Sequence, residues 1–201
     1  MTNPEDSSGQ VKYIGLSECG ADTLRRASAI FPISAYQIEY SPFSMDIEHP
    51  DLALAKTCRD LGIAIVAYCP LGRGMLTGQY TSPDDFAEGD FRKAVPRFSR
   101  ENFPKNMKLV EEIAAMARRK GCTPGQLTLA WVMKQEGVFP IPGTKRIPYL
   151  EENFAAGGVF GELTDAEERE IRAAVEKAEV CGTRYPEMMM GGLVKDTPPR
   201  V

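Results

Sequence analysis

The sequence predicts an α/β fold with a parallel sheet. Four short β-rich runs are each followed by a segment of helical periodicity, the alternation that βα crossovers produce. The third run, Ile63 to Tyr68, is almost continuously apolar, as expected of a strand covered on both faces. Polar residues collect at the carboxyl ends of the runs, where such folds hold ligands. The opposite ends, at Pro32, Gly62 and Gly137, read as plain helix-to-strand turns.

Taken in order, residues 1–10 form a polar, acidic leader, MTNPEDSSGQ. Val11 to Ser17 is the first strand, and Thr23 to Phe31 carries Leu24, Ala27 and Phe31 at helical spacing. Ser34 to Tyr40 is the second strand, closed by Ser41-Pro42, and Asp51 to Leu61 the second helix, with Pro50 at its start and Gly62 at its stop. The third strand breaks into Cys69-Pro70-Leu71-Gly72-Arg73-Gly74. Met75 to Pro104 has little periodicity and reads as a long functional loop. Lys105 to Lys120 is amphipathic through Leu109, Val110, Ile113, Met116 and Ala117. Thr123-Pro124-Gly125-Gln126 opens the next helix with a capping-box pattern, and Thr164-Asp165-Ala166-Glu167 opens a later one faced by Ile171, Ala174, Val175 and Ala178. From residue 183 the Met-, Pro- and Gly-rich tail reads as irregular.

Composition narrows the function classes. With 43% hydrophobic and 26% charged residues the 201-residue chain is long enough for one sizeable core. A net charge of −4 argues against a broad nucleic-acid or anionic-membrane surface. No apolar run approaches the roughly 20 residues of a membrane helix, and the leader is not signal-like, so a cytoplasmic location is expected. Five scattered cysteines without a CxxC pair signal neither a disulfide framework nor a metal site.

The segment that organises the chain is Val138 to Asn153, VFPIPGTKRIPYLEEN. An apolar strand runs into Gly143 and Thr144, then Lys145 and Arg146, then a helix with Pro148 in its first turn. Helix N–H groups and two cations thus converge on one point, which suits a phosphate. A solvated basic turn between strand and helix fits the same residues.

YIGLSE, QIEYSPF, AYCPLGRGMLTG, SRENFPKN, TPGQLTLAW and IPGTKRIPYLEEN follow one another along the chain. In this order and spacing they resemble the aldo-keto reductase family, barrel enzymes that reduce carbonyls with NADPH. The resemblance implies a (β/α)8 TIM barrel of which about four βα units are present, the fifth to eighth, as a half-barrel over residues 11–182 followed by a tail over 183–201. It also implies that Ser17 and Gln37 hold the nicotinamide carboxamide, that Tyr68 stacks on the ring, and that Leu71, Gly72 and Arg73 follow the pyrophosphate. Gly143, Thr144, Lys145 and Arg146 would then receive the 2′-phosphate, with Glu152 and Asn153 facing adenine. An amide can match a carboxamide and a tyrosine offers a flat face, although by themselves Gln37 and Tyr68 equally fit satisfied core positions. Glu18 stands where the family commonly has Asn. Tyr149, on the cofactor side, stands where it often has Arg, which leaves the preference for NADPH over NADH open.

The family's catalytic Tyr, Lys, Asp and His arise from the first four strands, so no catalytic residue is assigned here. The single histidine, His49, reads as a solvated helix-entry residue. The expected function is therefore NADP(H)-dependent carbonyl reduction by family, on a small-molecule carbonyl substrate if an N-terminal half completes the barrel. The alternative is a non-catalytic nucleotide-binding or regulatory module that uses its open sheet edges to bind a partner, an identical copy included.

Overall fold

The computed structural model describes residues 11–198; the leader 1–10 and residues 199–201 lie outside the described residues. Strands β1 (Ile14–Ser17), β2 (Ile33–Glu39), β3 (Ala64–Tyr68) and β4 (Val138–Pro140) form one sheet in that order, every neighbouring pair parallel. Between and after them run helices α1 (Ala21–Ile30), α2 (Leu54–Leu61), α3 (Phe103–Lys120), α4 (Pro124–Lys134), α5 (Ile147–Glu162), α6 (Asp165–Lys177) and the short α7 (Glu187–Met190).

The helices cover one face of the sheet. Tyr36, Ile38, Ile65 and Ala67 point into that layer and pack with Leu24, Leu54 and Trp131 in a continuous core. On the other face Ser17, Gln37, Val66 and Phe139 are register partners across all four strands, and Phe139 is 60% exposed. The expectation that β3 is covered on both faces therefore does not hold: Ile65 and Ala67 are buried, while Ala64, Val66 and Tyr68 are only half-buried. The apolar run is real, but only one layer of helices meets it.

Local chemistry explains most of the boundaries. Thr123 and Gln126 form a reciprocal capping box at α4, as Thr164 and Glu167 do at α6, each satisfying N–H groups that a helix start leaves open. Helix α2 begins at Leu54 rather than Asp51. The His49 carbonyl accepts from the N–H groups of Leu52 and Ala53, and Ala53 sits in the left-handed region at φ +51°, so a turn around Pro50 precedes the helix. Helix α5 starts where Pro148 suggests but runs on to Glu162.

Two stretches are more ordered than their composition suggests. Residues 75–104 contain short 3-10 turns at Pro83–Asp85, Phe91–Ala94 and Pro96–Phe98 rather than an open loop. Their apolar residues pack inward: Phe86 meets Phe98 edge-on at 5.7 Å and Phe103 at 6.1 Å, and the Arg92 guanidinium lies 4.2 Å from the Phe86 ring centre. The tail expected to be irregular carries α7 and returns to the sheet. Val194 N–H donates to the Glu18 carbonyl at 3.0 Å, Gly20 N–H to that of Lys195 at 3.0 Å, and the Asp196 carboxylate accepts from Thr23 N–H at 2.7 Å in the first turn of α1.

Candidate functional site

The loops after β3 and β4 enclose a cavity of about 500 Å³ with the first turns of α5. Tyr68, Leu71, Arg73, Gly143, Thr144, Tyr149, Glu152 and Asn153, all singled out from sequence, line it together. Gln79, Tyr80, Ile141 and Pro142 are also part of the wall. A parallel sheet sends the carboxyl ends of its strands to one side, which is why residues separated by some eighty positions meet there. A larger cavity, about 700 Å³, lies by the amino-terminal ends of β3 and β4 among Gly62, Ile63, Gly137 and Arg172, away from these loops.

Backbone geometry at this rim is unusual. Glu18, Cys69 and Arg73 occupy the left-handed region at φ +45°, +49° and +56°, a conformation costly for residues with a Cβ and concentrated at functional turns. Gly72, between the lining residues Leu71 and Arg73 but not itself lining the cavity, is buried at φ +57°, where an added Cβ would stand 2.7 Å from Phe43 Cδ2. Only glycine lets the chain turn so tightly over that ring.

The remaining candidates, Ser17, Gln37, Lys145 and Arg146, do not line the cavity. Ser17 and Gln37 pair in register on the open face, Ser17 exposed and Gln37 half-buried, beside the row that carries Tyr68. Lys145 and Arg146 are exposed at the mouth, and the Arg146 guanidinium stacks 4.9 Å from the Tyr149 ring centre. Thr144 Oγ1 accepts from Arg146 N–H at 3.1 Å, and no side chain caps α5 itself. Tyr149 hydroxyl donates to Gln79 Oε1 at 2.9 Å, and Thr123 hydroxyl to Glu152 Oε1 at 2.6 Å. The Arg73 side chain turns inward: its guanidinium lies 3.6 Å from the Glu39 carboxylate and 4.4 Å from the Tyr185 ring centre. Its charge is thus directed at Glu39.

Sequence reasoning missed the charged cluster behind Tyr68. Glu39 is 2% exposed at the end of β2, ringed by Arg73, Arg97 and Arg184. Arg184 also pairs with Glu18 at 2.9 Å. Burial pushes the Glu18 carboxyl up, but hydrogen bonds from Arg184 and Tyr68 and the Arg184 charge outweigh it, so its pKa is lowered. Burial together with the Tyr185 and Glu18 contacts raises the Tyr68 phenol, which stays protonated. A signal was available in QIEY, where one carboxylate interrupts an apolar strand and demands a buried partner. The partner's distance in sequence hid it.

Other polar groups serve the fold. His49 is exposed and accepts from Asp51 N–H at 3.3 Å. The hydroxyls of Tyr36 and Tyr40 donate to the Cys19 carbonyl and to Glu48. All five cysteines are free, and among the described residues no group of three or more His, Cys, Asp or Glu is placed to hold a metal. No helix among the described residues is long and apolar enough to cross a membrane.

Fold and site together define a protein of parallel βα units with a groove at its strand ends. The model of the aldo/keto reductase family matches residues 6–176, and the chain belongs to that family. It is 55% identical over 192 residues to a Schizosaccharomyces pombe protein named aldo-keto reductase yakc, with NADP(+) in its name, covering 95% of this chain and 56% of that one. It is 52% identical over 191 residues to aldo-keto reductase str7 of Strobilurus tenacellus, covering 94% and 56%. The chain therefore spans about half the length of these relatives. Among solved structures, the glycerol dehydrogenase of Gluconobacter oxydans superposes with a TM-score of 0.72 at 21% identity, over 88% of this chain and 52% of that one. A thermostable aldo-keto reductase gives 0.61 at 24% identity, over 83% and 50%. These likenesses are of fold, and the four parallel strands with their helices constitute a partial (β/α)8 barrel.

Proposed function

We propose that this chain is the NADP(H)-binding portion of an aldo-keto reductase, made of its fifth to eighth βα units and acting in the cytoplasm on aldehydes or ketones once a second set of βα units closes the barrel. The carrying observation is that residues named by the family resemblance, from β3, from the loops after β3 and β4 and from α5, line one groove.

The groove's chemistry fits the cofactor. Tyr68, Ile141 and Pro142 offer flat apolar wall, open space surrounds Gly143, and Lys145 and Arg146 stand at the phosphate end. Ser17 and Gln37 present a hydroxyl and an amide near the opposite end, with the donor and acceptor capacity that a carboxamide requires. NADP(H) bound there supplies the hydride. The residues of this chain hold and orient it, screening it from water on one side. None of its tyrosines lies in the catalytic setting of the family, so the proton for the carbonyl oxygen comes from the completing half, and the isolated chain is expected to bind without efficient turnover.

A second reading, a non-catalytic nucleotide-binding module that docks a partner through its sheet edges, is favoured by exposed apolar side chains on β4 and α5 and in the loop between them. Phe139, Ile141, Ile147 and Leu150 are exposed, and Phe154 is 88% exposed. Apolar side chains left this open suit an interaction site, and an identical copy or the completing half could cover them.

Calorimetric titration with NADPH and NADH, alongside an aldehyde-dependent assay, tests both readings. Saturable NADPH binding without turnover is expected; absence of binding by folded protein overturns the cofactor assignment. Reduction by the isolated chain, freed of contaminating reductases, would overturn the non-catalytic reading.

A further inference from the structure

We infer that Arg184 is a positioning residue for the nicotinamide end of the groove: it fixes the plane of the Tyr68 ring from behind. The inference rests on the cofactor reading above and adds to it a residue from the C-terminal segment, outside the motifs that carry the family resemblance.

Arg184 is 5% exposed. Its Nη1 donates to Tyr68 Oη at 2.9 Å, to Glu18 Oε1 at 2.9 Å and to Glu39 Oε2 at 3.4 Å, while Nη2 reaches Glu18 Oε2 at 3.2 Å. Tyr68 in turn donates its hydroxyl proton to Glu18 Oε1 at 2.7 Å. The phenol oxygen is therefore gripped between a cation and an anion. A tyrosine ring has two rotatable bonds, and tethering its hydroxyl at the far end removes most of the remaining swing. The ring that results lines the groove, so its orientation is set by a guanidinium that never enters the groove.

The fork is held in place by its own backbone. Gly182 turns at φ +84°, and an added Cβ would stand 2.6 Å from Arg97 N, so the segment presses against that strap before Arg184 enters. Arg97 N–H donates to the Thr183 carbonyl at 3.3 Å on one side, and Val194 and Lys195 bond the residues after β1 on the other. Electrostatics points the same way. Glu39 retains Arg73 and Arg97 if Arg184 is removed, whereas the Glu18 side chain has no other cation within salt-bridge distance among the described residues. Without Arg184, Glu18 keeps only the Tyr68 hydroxyl at 2.7 Å and the Glu39 N–H at 3.3 Å, which leave its charge uncompensated beside Glu39 and favour its turning toward solvent with release of the Tyr68 hydroxyl. A merely structural arginine would hold the tail down without affecting one end of the ligand more than the other.

The full chain and its Arg184→Met, Arg184→Lys and Tyr68→Phe variants are titrated by calorimetry with NADPH and with 2′,5′-ADP, which shares the phosphate-bearing adenosine end and lacks nicotinamide. Arg184→Met is expected to weaken NADPH about tenfold, the scale of a lost charge-assisted hydrogen bond, and to leave 2′,5′-ADP unchanged. Arg184→Lys, which keeps the charge without the planar fork, should fall between. Tyr68→Phe keeps the ring and loses the tether; it should show the same selective loss and decides the question if Arg184→Met does not fold. Equal weakening of both ligands, or no change in either, overturns the inference while leaving the groove assignment standing. A wild-type chain that binds neither ligand overturns the groove assignment and this inference with it.

Discussion

The Tyr149 hydroxyl donates to Gln79 Oε1 at 2.9 Å, joining α5 to the loop that follows β3 across the groove they share. This bond lies at an exposed rim, where its net worth is about 0.5–1.5 kcal/mol. Tyr149→Phe and Gln79→Ala should each quicken NADPH release by less than about tenfold without lowering the melting temperature measurably. Stopped-flow displacement measures the release rate, and an unchanged rate in both variants would show that the bond does not restrain the ligand.

The exposed pair Lys145 and Arg146 gives a charge test of the 2′-phosphate end. Lys145→Ala and Arg146→Ala are expected to weaken NADPH about three- to tenfold and NADH little, because exposed charges are screened yet the extra phosphate is their target under the proposed cofactor reading. Raising ionic strength should narrow the gap. Equal losses for the two cofactors would place the phosphate elsewhere.

Gly72 should resist substitution more than its neighbours. At φ +57° with Phe43 beneath it, Gly72→Ala combines backbone strain with a clash and should cost about 1–3 kcal/mol. Thermal denaturation reads this directly. Gly143→Ala, in open space without a positive φ, is the control and should melt near the wild type.

Acid stability should report Glu167. Backbone hydrogen bonding at Thr164, with Lys120 adding to it, draws its carboxyl down to about 2 from 4.5. Between those values the unfolded chain binds more protons than the folded one, so the stability from this group is full above about pH 4.5 and falls away as pH drops toward 2. Glu18, also lowered, adds a loss of the same sign. Glu167→Gln should flatten the decline in melting temperature between pH 5 and pH 3 relative to wild type; parallel curves would mean that the capping box does not couple to folding.

The apolar surface around β4 and α5 predicts association. The wild-type chain should exceed monomer mass in light scattering at micromolar concentration, and Phe154→Glu with Leu150→Glu should return it to monomer without loss of helicity. Monomeric wild-type protein at all concentrations would exclude self-association as the cover for this surface.

The sequence by itself determined where the four strands and most of the long helices form. Periodicity of apolar residues separates β1 to β4 from the helices between them, and capping residues such as Thr123 and Thr164 mark their starts, because these are local preferences of backbone and side chain. Strand ends rich in Gly, Pro and cations marked the groove for the same reason. Tertiary structure alone decided what each apolar surface meets: β3 is as apolar as a doubly covered strand, yet only the face bearing Ile65 and Ala67 is buried. Residues 75–104 lack a period because 3-10 turns around Phe86 and Phe98 pack without one. Tertiary structure also brought Arg184 to Glu18, 166 positions away in the chain, and so tied a tail that reads as irregular to the strand ends. No local pattern encodes that meeting: a buried carboxylate requires a counter-charge, and only the folded chain selects which arginine supplies it.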